Sequence, residues 1–378
     1  MRIALLANSM RSVDETVTAP HMYIIREIYK RLDELGHSAT IHGFSEGETP
    51  TQTVIRDDWQ KLSKRLTTAA QASSKAAAQE MPTILERLGL VREATHAIKA
   101  FQAANKNADL IHMHWFGHIF GTTVSEIPIV YSVRHGYNDP DCFLSLKEEI
   151  FSQLVDLDKV DWAVLSSPQI KFLPARIPRD RIHVVPHGLN FEQFPKEPGK
   201  KGGYVAFLGR IMRLKAPHLA IDAARLANIP IKIAGGMDPV REGEPDYFKE
   251  EIEPRLGPDV TYVGELDFAE KIELLQGASV VVNPFQLEEP FGLVNTESLA
   301  CGTPLVVPKR GSTLDILKEG MNGYYADNSI EAMAAGIEKC QGLDRRAIQE
   351  DVHERYSHTT MVNSYLEVYR KALARRAR

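Results

Sequence analysis

Two doubly wound α/β domains in tandem are the fold class that the sequence predicts, and three observations carry it. The chain opens on strand–loop–helix–strand. An apolar run at residues 3–7 is followed by a polar loop and a helix from Pro20 to about Leu35, with Met22, Ile25, Ile28, Tyr29 and Leu32 at helical spacing, before a second strand begins at Ala39. The same pattern restarts after a polar Pro/Gly/Lys stretch at 191–203, with an apolar strand at 204–208 and a helix reaching Leu226. Elsewhere short Val/Ile-rich runs alternate with helical segments, as a parallel sheet buried on both faces requires.

Composition bounds the function. The chain has 378 residues, 43% hydrophobic and 25% charged, which is enough for two cores. A net charge of −5, spread over both halves, argues against a nucleic-acid or anionic-membrane binder. The three cysteines, Cys142, Cys301 and Cys340, lack metal-ligand spacing, and an odd number suits a reducing cytosol. With no signal peptide and no apolar run of membrane-spanning length, a cytoplasmic location is expected. No GxGxxG follows the first strand, so a nicotinamide or flavin dinucleotide site is not expected.

In the N-terminal half, residues 57–107 form a helical excursion. Trp59, Leu62, Leu66 and Ala69 mark one face; Ile84, Leu88, Val91, Thr95 and Ile98 mark another beyond Pro82. A hairpin packed on the sheet edge is expected rather than a lid. The strand at 110–115 projects His112 and His114 from one face, and with His118 they form His-x-His-x3-His. A zinc site would want a further Asp-His pair, so a strand-end site lining a cleft is preferred. The strand at 127–132 ends at Arg134-His135-Gly136-Tyr137. Asp139-Pro140-Asp141 and Asp156-Leu157-Asp158 read as turn and helix-end acids. Strands at 162–165 and 182–185 follow, then Pro186-His187-Gly188-Leu189-Asn190.

In the C-terminal half, Gly209-Arg210 and Lys215 follow the restarting strand and place two cations at its carboxyl end. Gly235-Gly236 ends the next strand, and Gly264-Glu265-Leu266 ends the strand at 260–263. After the apolar run at 278–282 comes Asn283 to Pro304, NPFQLEEPFGLVNTESLACGTP, with Glu289 and Glu297 separated by seven residues. A helix is expected to begin between Pro290 and Gly292 and to stop at Gly302. Its first amides, Gly292, Leu293 and Val294, would form a phosphate site. Three helices close the chain, the last carrying Tyr365, Val368, Tyr369 and Ala372 as a packing stripe and ending in a solvated ALARRAR tail.

The stretch from Asn283 to Pro304, with Gly209-Arg210 and Lys215, resembles the donor-site motif of retaining family 4 glycosyltransferases: Glu, seven residues, Glu, a short helix, then Gly-Thr-Pro. The resemblance implies the GT-B fold, two Rossmann-like domains facing a cleft. Residues 1–190 would form an acceptor-binding domain and 191–356 a donor-binding domain, with the helix at 357–378 packing back on the first. It implies a metal-independent hexosyl transfer from a nucleoside-diphosphate sugar, with UDP-, GDP- and ADP-sugars as candidates, to a small-molecule or glycan hydroxyl acceptor. No cofactor is expected.

By the same resemblance Glu297 holds the ribose and Glu289 the sugar hydroxyls. Arg210, Lys215 and the amides of Gly292, Leu293 and Val294 hold the diphosphate, with Gly235, Leu266 and Phe291 lining the donor site. Glu289, Arg210, Lys215 and His135 form the catalytic set. Acceptor contacts fall to Ala19, Pro20, His21, His114, His135 and Tyr137.

The chain departs from the family at Ala19-Pro20, where paired glycines are usual, at Arg134, inserted before His135, at His187, which replaces an Asn, and at Arg310-Gly311-Ser312, where a glycine pair is usual. The first two, with the excursion at 57–107, all fall on the acceptor half, which is therefore expected to set acceptor choice alone. The rival readings are a nucleotide-sugar epimerase of the same fold, a zinc hydrolase on His112, His114 and His118, and a non-catalytic sugar-nucleotide sensor.

Overall fold

A computed structural model describes residues 1–8, 20–43, 51–52, 56–73, 75–134, 159–199, 202–237 and 244–376. Two compact units emerge. One comprises residues 1–165, 172–185 and 362–378; the other comprises 166–171 and 186–361. The division therefore differs from a single cut at residue 190. The Pro186–Asn190 stretch, expected to close the first domain, lies in the second unit, as does the 191–203 linker. Gly199 N–H donates to Cys301 O, and a Cβ on Gly199 would lie 2.2 Å from Gln276 O, so the described part of the linker is packed down at Gly199.

The first unit holds a seven-stranded parallel sheet, β1 (Arg2–Leu6), β2 (Ser38–His42), β3 (Thr51–Gln52), β4 (Leu110–Met113), β5 (Ile129–Val133), β6 (Val160–Val164) and β7 (Ile182–Val184). Their order is 3-2-1-4-5-6-7, the doubly wound arrangement. Helix α1 (Pro20–Glu34) buries Met22, Ile25, Ile28 and Leu32, and Gly36, at φ +74°, ends it as expected.

The excursion is two helices, α2 (Arg56–Ser73) and α3 (Lys75–Asn107), packed on each other. The expected inward faces are corrected. Leu62 and Val91 are exposed, as is Thr95, while α3 turns Glu93, His96, Ala97, Ala100, Phe101 and Ala104 inward. The side chains of Trp59, Ile84 and Leu88 lie outside the described residues. Small residues explain the choice of face. The alanines let α3 approach the 3₁₀ segment Phe116–Val124, where a Cβ on Gly121 would meet the Phe101 ring at 2.5 Å.

The second unit repeats the order with six parallel strands: β8 (Val205–Leu208), β9 (Ile231–Ala234), β10 (Val260–Gly264), β11 (Val280–Val282), β12 (Leu305–Val307) and β13 (Gly323–Tyr325), arranged 10-9-8-11-12-13. Alternate strand residues (Val205, Phe207, Ile231, Ile233, Val280, Val282) meet α4 (Pro217–Leu226) and α7 (Ile330–Cys340) in one core. Helices α5 (Phe268–Gly277), α6 (Leu293–Ala300) and α8 (Arg345–Arg355) pack among themselves, α6 touching both others.

The final helix, α9 (His358–Arg376), buries Tyr365, Val368, Tyr369 and Ala372. Tyr369 OH is hydrogen-bonded to His112 Nδ1 (2.7 Å). His112 Nε2 meets Ser132 Oγ (2.8 Å), which in turn meets Tyr365 OH (2.7 Å). The tail is not simply solvated, because Arg375 pairs with Asp161 and Asp180. No helix among the described residues is long and apolar enough to cross a membrane.

Four histidines of the first unit are held neutral by burial. His42 is brought down to about 4, His96 is lowered, and His112 and His118 are lowered well below the usual value. Each would gain a proton near pH 6.5 in the unfolded chain but not in the folded one. Their contribution is therefore intact above pH 6.5 and is lost as pH falls from there towards 4. The Tm of the protein should stay level from pH 8 to 7 and drop steeply below 6.5. The slope should approach about 1.4 kcal/mol per pH unit for each titrating histidine. A Tm unchanged between pH 7 and 5 would contradict the burial argument.

Candidate donor-nucleotide site

The sheet order of the second unit reverses between β8 and β11, which pair directly. Loops leaving the carboxyl ends of strands at such a point diverge and leave a crevice for a ligand. Arg210 and Lys215 follow β8; Glu289 and α6 follow β11. Gly235 follows β9, and Leu266 follows β10, so residues from Arg210 to α6 meet at one sheet end.

Arg210 is exposed and makes no hydrogen bond or ion pair among the described residues. Lys215 Nζ donates to Glu289 Oε2 in a half-buried ion pair. Its ammonium also lies 5.9 Å from the Phe285 ring centroid. Helix α6 starts at Leu293, slightly later than expected, with Gly292 as its N-cap at φ +73°. Asn295 N–H is the first to bond back, to Gly292 O at 2.9 Å. The amides of Gly292, Leu293 and Val294 donate to nothing among the described residues, as a helix start leaves them. Gly302, at φ +73°, follows the helix end as expected.

The loop carrying Glu289 is braced from two sides. Ser312 N–H donates to Glu289 O (2.9 Å) and Ser312 Oγ to Phe291 O (2.6 Å). Gly311, at φ +55°, sits so close that a Cβ there would lie 2.6 Å from Glu289 O. The buried amide pair Asn283 Nδ2–Asn295 Oδ1 (2.9 Å) ties the end of β11 to α6. The Arg-Gly-Ser departure thus supplies one flexible residue and one hydroxyl brace. The Phe291 ring does not line a ligand surface. It is buried with its centroid 5.3 Å from that of His187 and 5.8 Å from that of Tyr356, which corrects its expected donor role to a supporting one.

Glu297, in the second turn of α6, is 8% exposed and accepts from Lys271 Nζ at 2.6 Å. Sequence reasoning missed Lys271, because nothing local marks a lysine on α5 as the partner of a glutamate on α6. Gly235 is at φ +146°, and a Cβ there would fall 1.8 Å from Gly209 O, so the β8 and β9 loops approach as closely as glycine permits. Gly235 N–H bonds Gly264 O (2.8 Å), and Leu266 is half-buried just beyond.

The acceptor-side expectations meet less of the structure. Ala19, His135 and Tyr137 lie outside the described residues, as do Asp139, Asp141, Asp156, Asp158 and Cys142; Pro20 and His21 are described only as the start of α1. His114 is buried rather than lining a cleft, with its ring 3.8 Å from that of His112 and Nδ1 accepting from Arg134 Nη2 at 2.7 Å. Burial brings the Arg134 guanidinium down to about 10. The zinc reading loses its ligand set. Both ring nitrogens of His112 are committed to Ser132 and Tyr369, while His118 turns to His96 (centroids 5.7 Å apart) and Glu93 (4.0 Å). No group of three metal-ligating side chains occurs among the described residues.

Residues 190–349 match the family described as glycosyl transferases group 1. That segment is thus similar to a group 1 glycosyl transferase domain. It contains β8 to β13 and every candidate donor residue named above. Among curated relatives, the chain is 31% identical over 229 residues to a D-inositol 3-phosphate glycosyltransferase of Acidothermus cellulolyticus, covering 52% of this chain and 49% of that protein. It is also 31% identical over 237 residues to the alpha-maltose-1-phosphate synthase of Mycolicibacterium smegmatis, covering 54% and 60%. The chain thus spans about half the length of the curated relatives it matches.

Among solved structures, Anabaena HepE in complex with UDP-glucose superposes with a TM-score of 0.69 at 18% identity, over 98% of this chain and 100% of that one. The sucrose-phosphate synthase of Thermosynechococcus elongatus gives 0.68 at 17% identity, over 99% of each. The fold is therefore GT-B, with two Rossmann-like domains, and the segment that matches group 1 glycosyl transferases lies in the second.

If Gly311 and Ser312 hold the Glu289 loop in place, Gly311→Ala should push it away. The nucleotide affinity of Gly311→Ala should fall at least about tenfold, while its unfolding free energy drops by roughly 1–3 kcal/mol. Calorimetric titration beside urea unfolding separates the two, and intact affinity would show that the brace is dispensable.

Proposed function

We propose that the protein transfers a sugar from a nucleoside-diphosphate sugar to a hydroxyl acceptor, with retention at the anomeric carbon and without a metal ion. The observation that supports this best is the Lys215–Glu289 pair beside the unbonded amides of Gly292, Leu293 and Val294, with Arg210 exposed at the neighbouring strand end. The relatives named for glycosyl transfer and the neighbour holding UDP-glucose agree with it.

In this reading the diphosphate settles on the α6 amides and draws Arg210 and Lys215 to its oxygens. Lys215 then gives up Glu289, whose carboxylate turns to the sugar hydroxyls. As the bond from the anomeric carbon to phosphate oxygen breaks, the two cations and the amides take up the charge left on the diphosphate. The acceptor oxygen bonds to the anomeric carbon on the face just vacated, and its proton passes to the leaving phosphate. No protein nucleophile is needed. Glu297 accepts from the ribose hydroxyls.

A thermal-shift panel of UDP-, GDP- and ADP-sugars identifies the donor, since a ligand at a hundred times its Kd adds about 2.7 kcal/mol of stability. Transfer should persist in EDTA. Activity lost in EDTA and restored by a divalent ion would overturn the metal-independent reading, and an inverted product would overturn retention.

Arg210→Ala and Lys215→Ala should each lower kcat on the order of a hundredfold, with melting temperature little changed for Arg210→Ala. Glu297→Ala should weaken donor binding by about 1.5–3 kcal/mol. Unchanged kcat in both cation variants would remove the basis for the proposed leaving-group role.

A further inference from the structure

Lys271 is held in place before it reaches Glu297. It stands near the start of α5, which is fixed by a reciprocal cap: Asp267 Oδ1 accepts from Glu270 N–H and Glu270 Oε2 accepts from Asp267 N–H, each at 2.9 Å. The Lys271 ammonium lies 4.9 Å from the Phe268 ring centroid, so the lysine is steered from its own helix. From there it donates to Glu297 Oε1. The side chains are 21% and 11% exposed, unlike the solvated pair Arg370–Glu367 at 57% and 65%. An enclosed pair of this kind holds its geometry where a solvated one does not.

The consequence lies in the oxygen left over. Oε2 of Glu297 accepts no hydrogen bond among the described residues, and Oε1 keeps a second lone pair. A carboxylate free to rotate can satisfy a single hydroxyl in many poses. One pinned through Oε1 presents its remaining lone pairs in one direction, which suits two adjacent hydroxyls and is poorly matched when one is missing.

We propose that Lys271 is a positioning residue for the donor. It pins Glu297 so that the carboxylate reads the paired hydroxyls of a ribose, and it thereby makes the site select ribonucleotides over 2′-deoxyribonucleotides. The proposal rests on the reading of Glu297 as the ribose-binding carboxylate. It adds a residue on a different helix and a selectivity that Glu297 alone would not provide.

The test is calorimetric titration of the full chain with UDP, GDP and ADP, each against its 2′-deoxy counterpart. The proteins are the wild type, Lys271→Met, Lys271→Arg and Glu297→Gln. For the nucleotide that binds, the wild type should prefer the ribose form on the order of tenfold or more. Lys271→Met should bring that preference to within about twofold, chiefly by weakening the ribose form, while Lys271→Arg restores most of it.

A merely structural lysine would weaken both forms equally. A Lys271→Met protein with the full preference therefore overturns the proposal. Should Lys271→Met fail to fold, Lys271→Ala, which likewise can donate nothing to Glu297, is judged by the same criterion. The underlying reading fails separately: a wild type that binds both forms equally, or a Glu297→Gln protein that keeps the preference, removes Glu297 from the ribose.

Discussion

Two glutamates at the carboxyl end of a parallel sheet must be neutralised while the site stands unliganded, and the second unit is arranged around meeting that need. Glu289 and Glu297 are both largely enclosed, and each accepts from a lysine on another element, Lys215 after β8 and Lys271 on α5. An enclosed carboxylate without a partner would be costly. The two pairs differ in what surrounds them. Lys215 stands beside unbonded amides and the exposed Arg210, where a phosphate would compete for it. Lys271 is steered from its own helix and has no such competitor nearby.

The backbone around these pairs carries the strain that the chemistry avoids. Gly235, Gly292 and Gly311 all sit at positive φ, and at Gly235 and Gly311 a Cβ would collide with a neighbouring loop's backbone. The loops leaving β8 and β9 thus approach each other, as do those leaving β11 and β12, as closely as only glycine allows. Ser312 and the Asn283–Asn295 pair then hold the Glu289 loop by hydrogen bonds rather than by bulk. Phe291 belongs to this support and not to the ligand surface.

The first unit shows the opposite economy. His42 ends β2, His112 lies within β4, and His114 and His118 follow it; all are buried, with His96 brought in from α3. Two tyrosines of α9, one turn apart, close the His112–Ser132 hydrogen bonds. That arrangement makes His112 a structural anchor for the end of the chain. It also explains why a histidine pattern suggestive of metal in the sequence serves packing in the fold: burial and committed ring nitrogens leave His112 no lone pair to give.

What the sequence by itself determined is local or periodic. Alternation of apolar runs with helical stripes specified two doubly wound sheets, because a strand buried on both faces tolerates little else. The stretch at 278–304 specified its strand, helix and turn, because the apolar run, Gly302 and the Glu-x7-Glu spacing act within a single segment. Tertiary structure decided what depends on distant partners. Which face of α3 turns inward was set by its close approach to the Phe116–Val124 segment, where Gly117 and Gly121 leave room for Glu93 and Phe101, and not by the Val91 and Thr95 positions. Phe291 was taken into the core by His187 and Tyr356, and Lys271 became the partner of Glu297. The physical reason is common to all three. Apolar periodicity is written along one segment, whereas close packing and charge pairing are properties of two surfaces that meet only after the sheet has formed.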